Sequence, residues 1–142
     1  MVQKQIIFGF LGALSFSYAA GAADVVLNIS EAKSNKGSII GTLWNSEEAY
    51  LDLDARQMRA SAKIISGKAV MRMEGLAAGT YSIALYHDEN GNDKMDTNFI
   101  GIPKEGWAFS NNAKGSFGPP SFEKTSFTVA ADDVVMDIVM NY

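Results

Sequence analysis

The chain contains no cysteine. Disulfides, thiol nucleophiles, cysteine-ligated zinc and iron–sulfur clusters are therefore all excluded. Histidine occurs once, at His87, so a zinc centre built from several imidazoles is excluded as well. Basic residues are few and scattered. Without Lys4, 11 basic side chains stand against 16 acidic ones, a net charge of −5. An acidic chain without a basic cluster is poorly suited to nucleic acid or to anionic membrane surfaces. No Gly-x-Ser-x-Gly nucleophile elbow is present, and neither internal repeats nor low-complexity tracts occur. Beyond the first residues no run is long and apolar enough to cross a bilayer, so the mature chain is expected to be soluble.

The first residues read as an address. Lys4 supplies a short positive segment, and residues 6–16 are apolar but too short to span a bilayer comfortably. Small residues follow: Ala19, Ala20, Gly21, Ala22 and Ala23. Cleavage after Ala22 or Ala23 fits the small-x-small rule, and no cysteine stands near the cut to carry a lipid. The expectation is a signal peptide over 1–23 and a single domain over 24–142, periplasmic or secreted. A cut after Ala23 leaves 119 of the 142 residues, enough for one domain with its own core.

Strand signals dominate what remains. Val25, Leu27 and Ile29 alternate onto one face, and Ser38–Trp44 is rich in Ile, Thr and Leu. Residues 62–65 and 68–74 flank a turn at Ser66-Gly67, and in the second of them Ala69, Met71 and Met73 share a face. Tyr81, Ile83 and Leu85 mark another inward face. Residues 125–129 are a further candidate, and Val134, Met136, Ile138 and Met140 alternate with Val135, Asp137 and Val139. About seven short strands predict an all-β fold, a single antiparallel β-sandwich with one long loop region. Residues 46–60 read either as one or two helical turns capped by Ser46 or as a polar crossover loop. Residues 87–122 break the pattern for longer, with Pro103, Pro119, Pro120 and several glycines. Structureless stretches of that length are uncommon in compact domains and often functional. An outer-membrane barrel is excluded despite the terminal Tyr142, because the strands are short and lack a regular apolar outer band.

The most informative stretch is 87–96, His-Asp-Glu-Asn-Gly-Asn-Asp-Lys-Met-Asp. Oxygen-bearing side chains alternate at Asp88, Asn90 and Asn92, and Asp96 follows. Calcium needs about six to eight oxygens converging on one point. Counted from Asp88 as an EF-hand-like loop, Asn90 and Asn92 take the third and fifth positions. Lys94 offers its backbone carbonyl at the seventh, and Asp96 falls at the ninth. Two departures matter. Asp93 replaces the usual glycine at the sixth position, although Asp tolerates the left-handed conformation better than most residues. Phe99 replaces the bidentate glutamate at the twelfth, so the strongest ligand is missing unless Glu105 or another carboxylate folds in. The expected cofactor is calcium, held weakly, on the order of 0.1–1 mM. A bound ion would also staple the loop of a chain that has no disulfide. The alternative is a plain hairpin turn at Asn90-Gly91.

His87 shares strand parity with Ile83 and Leu85 and so points inward beside this loop, either as part of a binding site or as a satisfied packing residue. Trp107, Phe109 and Phe117, interleaved with Ser110, Asn111 and Asn112, suit a groove for a sugar or peptide segment. The competing reading is that these rings, with Phe122, cap an open end of the sandwich. Lys104 and Glu105 read as a solvated pair. Asp88, Glu89, Asp93, Asp96 and Glu105 crowd into one region, which suits ion ligands better than the spaced carboxylate pair of a glycosidase.

Three blocks are familiar in their order: Gly75-Leu76-Ala77-Ala78-Gly79-Thr80-Tyr81 leading to the acidic loop, Ile-Gly-Ile-Pro-Lys-Glu-Gly-Trp-Ala-Phe-Ser-Asn-Asn over 100–112, and Phe117-Gly118-Pro119-Pro120-Ser121-Phe122. Together they closely resemble DUF2141, an uncharacterised family of exported bacterial proteins. The resemblance spans essentially the whole chain after the leader. It implies a periplasmic or secreted β-sandwich and no established activity. A broader likeness, carried by Leu76 and Gly79-Thr80-Tyr81 ahead of a strand, is to transthyretin-like and carboxypeptidase-regulatory-like modules, which implies an accessory or binding role. The expectation is thus a non-catalytic binding or structural module of the cell envelope, with a glycan, peptide or envelope protein as partner. The alternative is a hydrolase using His87 and nearby carboxylates.

Overall fold

The computed structural model describes residues 21–142; the expected leader lies outside it except for its last positions. The strands are β1 (Ala23–Ser30), β2 (Ser38–Trp44), β3 (Met58–Lys63), β4 (Ala69–Leu76), β5 (Gly79–Asp88), β6 (Trp107–Phe109), β7 (Phe127–Val129) and β8 (Val134–Val139). A 3-10 turn at Ser110–Asn112 and a single helical turn, α1 (Phe122–Thr125), complete the elements. One sheet runs β4-β1-β8 and the other β3-β2-β5-β6, with β7 joining β5 beyond β6. The expected all-β sandwich is what these two sheets build around a shared core.

One pairing departs from the antiparallel expectation. β1 and β8 run parallel, from Val25 opposite Val134 to Ser30 opposite Val139. The chain crosses to the second sheet and returns before β8, the kind of long connection a parallel pair requires. Element ends also differ. The strand expected at 62–65 runs over Met58–Lys63, because the exposed Arg59 and Ser61 carry no hydrophobic signal while Ala60 and Ala62 turn inward. In the segment 125–129, Thr125 closes α1 and the strand begins only at Phe127. Residues 46–57 form successive turns, with Tyr50 N–H donating to Glu47 and Asp52 N–H to Ala49. The Ser66-Gly67 turn is formed, both residues at positive φ (52° and 74°).

Alternation explains the core. Val25, Leu27 and Ile29 share one sheet face with Met71, Met73 and Ile138, packed in one core with Ile83 and Leu85 of the other sheet, all buried. Each such side chain contributes about 1.5–3 kcal/mol when withdrawn from water. Gly41 leaves no room for a Cβ, with Met71 Sδ of the opposite sheet and Leu85 Cδ2 in the space it would need.

The second sheet is covered on its outer face too. β2 is buried along nearly its whole length, which is why apolar residues stand on both of its faces with no exposed polar alternation. On that outer face Trp44 meets Tyr50 edge-on at 5.7 Å, and Tyr50 meets Phe122 in turn. Tyr50 also donates its hydroxyl hydrogen to the Pro120 carbonyl at 2.9 Å. Phe122 and Pro120 thereby hold the end of the long loop region against the outer face of the sheet rather than at an open end of the sandwich.

Candidate functional site

β5 and β6 pair through Ala84–Tyr86 against Phe109–Trp107, and residues 89–106 loop out between them. This is not a two-residue hairpin. Positive φ falls at Gly91 (69°) and Asp93 (61°) but not at Asn90, and the partner strand resumes only at Trp107. Asp88, at the end of β5, is 2% exposed. Its carboxylate accepts the backbone N–H of Asn92 at 3.2 Å and of Asp93 at 2.9 Å. Asn90 and Asn92 accept local N–H groups through their oxygens, forming Asx turns. Their amide nitrogens donate to the two oxygens of Asp96, at 2.6 and 2.8 Å.

Glu105 corrects one expectation. Instead of forming a solvated pair with Lys104, it is buried and accepts the N–H groups of Glu89 (3.3 Å) and Asp96 (3.1 Å). It closes the loop from below, across both ends of the oxygen-bearing stretch. Burial pushes its carboxyl above the ordinary glutamate range, and the negative charges of Asp96 and Asp88 push the same way against those two hydrogen bonds. Asp96 is drawn below the usual range by the amides of Asn92 and Asn90. Three carboxylates and two amides therefore share one hydrogen-bonded network. The donor set is all oxygen, as calcium prefers. Among the described residues no three or more His, Asp or Glu side chains converge as a metal-binding group.

Beside the loop, on the outer face of the second sheet, lies a groove of about 1040 Å³. Trp107 and Phe109, their rings 6.0 Å apart, share its floor with Tyr86 and Trp44. The pairing register explains this: Arg59 lies opposite Thr42, Thr42 opposite Ala84, and Ala84 opposite Phe109, so all four point to one side. Residues 93–95 and 100–103 of the acidic loop form one wall, and Phe117 stands fully exposed at the rim. Leu51, Leu53, Arg56 and Arg59 also border the groove. None of these four is singled out by the sequence, because the turns over 46–57 carry Leu51, Leu53 and Arg56 there and the β2–β3 register carries Arg59.

The matched span of a family model described as "Uncharacterized protein conserved in bacteria (DUF2141)" covers residues 27–137. The chain belongs to DUF2141. No curated protein and no solved structure matches it, and the transthyretin-like likeness rests on the strand leader alone.

In this DUF2141 member His87 lies on the opposite side of β5 from the groove, fully buried. Nε2 sits 2.7 Å from the Lys36 carbonyl, which can only accept, so Nε2 carries the hydrogen. Nδ1 then accepts from the Tyr142 hydroxyl at 2.7 Å, which itself accepts the Lys33 N–H at 2.9 Å. Both ring nitrogens are engaged, which matches the packing reading. The hydrolase alternative has its only histidine tied into the fold.

Asn111 and Asn112 also turn away from the groove. Both have positive φ (62° and 51°). The Asn111 amide donates to the carbonyls of Lys124 (3.2 Å) and Ser126 (2.8 Å). Asn112 donates to the Asp137 carbonyl and accepts the Val139 N–H, each at 2.9 Å. It stands in for a strand along the open edge of β8, a protection that edge strands need. Ser110 does the same between β6 and β7, accepting the Ile83 N–H at 3.0 Å and donating to Thr125. Asn112→Ala is expected to lose about 1–2 kcal/mol and to self-associate more readily through β8. Thermal melts with light scattering check both effects.

Proposed function

We propose that this DUF2141 protein is an exported, non-catalytic binding module of the cell envelope, with a calcium-ordered loop beside an aromatic ligand groove. The observation that carries this reading is the shared wall. Residues 93–95 and 100–103 border the groove and belong to the loop that Asp88 and Glu105 tie down. Ordering the loop orders the wall. The cation would be held by the carboxylates of Asp88, Asp96 and Glu105, the side-chain oxygens of Asn90 and Asn92, and the Lys94 carbonyl. A divalent ion offsets the repulsion among those carboxylates, which burial of Glu105 otherwise leaves in place. Export is supported by the leader pattern, and an ion staple suits a chain without disulfides. A glycan, a peptide or an envelope protein are the partner classes for the groove.

Calcium added to chelator-stripped protein is expected to bind saturably in titration calorimetry and to raise the melting temperature. For dissociation constants on the order of 0.1–1 mM, about 10 mM calcium stabilises by roughly 1.4–2.7 kcal/mol. That corresponds to ~6–10 °C in a domain of this size. No heat and no shift would remove the ion and leave a loop held by its own Asx turns.

A further inference from the structure

We infer that the groove takes an amphipathic anion, an acyl chain headed by a carboxylate; this rests on the groove being the binding site proposed above. The first argument is that two of the polar groups at the floor, on Trp44 and Tyr86, already have partners, and that the nearby asparagine amides are engaged elsewhere. Trp44 Nε1 donates to the Asp52 carbonyl at 2.7 Å. The Tyr86 hydroxyl lies 3.3 Å from Arg59 Nη2, and the Asn111 and Asn112 amides are bound to backbone elsewhere. A sugar needs donors and acceptors along its length, because its hydroxyls lose water on binding. This floor offers ring faces and aliphatic walls instead.

The second argument is the rim. Leu51, Leu53, Ile100, Ile102 and Phe117 are 40, 60, 65, 54 and 106% exposed, and all five border the groove. Scattered exposed apolar residues need no explanation, but a contiguous set around a concavity marks a site for an apolar ligand. At about 1040 Å³ the space is at the upper end of the usual ligand-pocket range of ~300–1,000 Å³, which suits a chain rather than a compact head alone.

The third argument is charge. The chain is acidic overall, yet the charged residues bordering the groove are Arg56, Arg59 and Lys94 against the single acid Asp93. Arg59 meets Asp93 through one contact, Nη2 to Oδ1 at 3.2 Å, with the side chains 39 and 74% exposed. Such a solvated pair is weak and exchangeable. A guanidinium at the edge of an apolar groove is suited to bidentate capture of a carboxylate.

Both tryptophans of the chain, Trp44 and Trp107, line the groove, so intrinsic fluorescence reports on it directly. The full folded domain would be titrated with decanoate below its micellar concentration. Decanol, decyltrimethylammonium and cellohexaose serve as uncharged, cationic and glycan counterparts. Decanoate is expected to change the emission saturably and to bind at least tenfold tighter than decanol, with no response to decyltrimethylammonium. Arg59→Gln, and separately Lys94→Gln, should bring decanoate toward decanol and leave decanol unchanged; a melt confirms that each variant is folded. Equal binding of decanoate and decanol, or indifference to both substitutions, overturns the anionic head while the groove stands. A response to cellohexaose alone overturns the acyl chain and leaves a binding groove for glycans. A concentration-dependent dimer that buries the tryptophans without any probe makes a second copy the occupant and overturns the proposal. Silence from every probe overturns the acyl anion and the glycan alike and leaves the groove to a peptide or protein partner.

Discussion

Gly37→Ala is expected to melt ~10–15 °C below the parent protein, a loss of roughly 3–4 kcal/mol. Gly37 ends the connection between β1 and β2 with φ at 65°, where a side chain costs about 1–2 kcal/mol. Its surroundings add to that. A Cβ at Gly37 would overlap the Asp88 carbonyl and crowd the Cα of Glu89. Both obstacles are backbone, and neither can rotate aside as a flexible side chain would. Ser38, the next residue, pairs with Asp88, and Lys36 accepts the His87 ring hydrogen at 2.7 Å. Any displacement therefore reaches the first residue of the acidic loop. Gly91→Ala separates the two contributions, since Gly91 has φ at 69° but open space around its missing Cβ. Only the conformational cost of about 1 kcal/mol remains there. Chemical denaturation of both variants is the check, and equal losses would mean that the crowding at Gly37 relaxes without cost.

Legibility from sequence follows how local each cause is. Alternation at 25–29, 69–73, 81–85 and 134–138 shows in the residues themselves because each strand buries one side. The parallel register of β1 on β8 depends on where the chain returns, and no residue in either strand encodes it. The same distinction holds in the candidate site. The spacing of Asp88, Asn90, Asn92 and Asp96 is a property of one short segment, so it stands out. The left-handed Asp93 at 61° follows from the same count. Glu105 beneath the loop is not local, and its charge suggests solvent until the N–H groups of Glu89 and Asp96 are seen to need an acceptor. Trp107 and Phe109 are legible as groove residues, whereas Trp44, Tyr86 and Arg59 join them only through the register of β3, β2 and β5. Asn111 and Asn112 mislead for a physical reason. An amide beside aromatic rings reads as a ligand donor, yet it satisfies an open strand edge equally well. Two successive asparagines after a short strand also mark a chain turning back, because asparagine tolerates positive φ.

Asp88→Ala is expected to abolish the calcium-dependent rise in melting temperature and to cost the cation-free protein about 2–4 kcal/mol. The two effects have different origins in one carboxylate. Without an ion, the buried Asp88 oxygens accept from Asn92 and Asp93. Asn92 N–H keeps a second acceptor in Asn90 Oδ1 at 3.2 Å; Asp93 N–H has none among the described side chains. The orphaned donor, together with the small void left by the side chain, sets the cation-free loss. With calcium, the charge itself is missing. Asp88→Asn tells these apart. Its single amide oxygen can still accept from Asp93, so its cation-free loss should be the smaller of the two, while its calcium response should also disappear. Melts of the three proteins with chelator and with about 10 mM calcium give the answer. A full calcium rise in Asp88→Asn would show that any bound ion is held without this carboxylate. Destabilised variants of a parent that itself ignores calcium would leave Asp88 as the anchor of a self-sufficient loop. In either case the groove wall at 93–95 loses the Asp93 N–H tether in Asp88→Ala, so tryptophan-detected decanoate binding should weaken in that variant even without calcium. Unchanged decanoate affinity would mean that the wall holds its position independently of the loop's oxygen network.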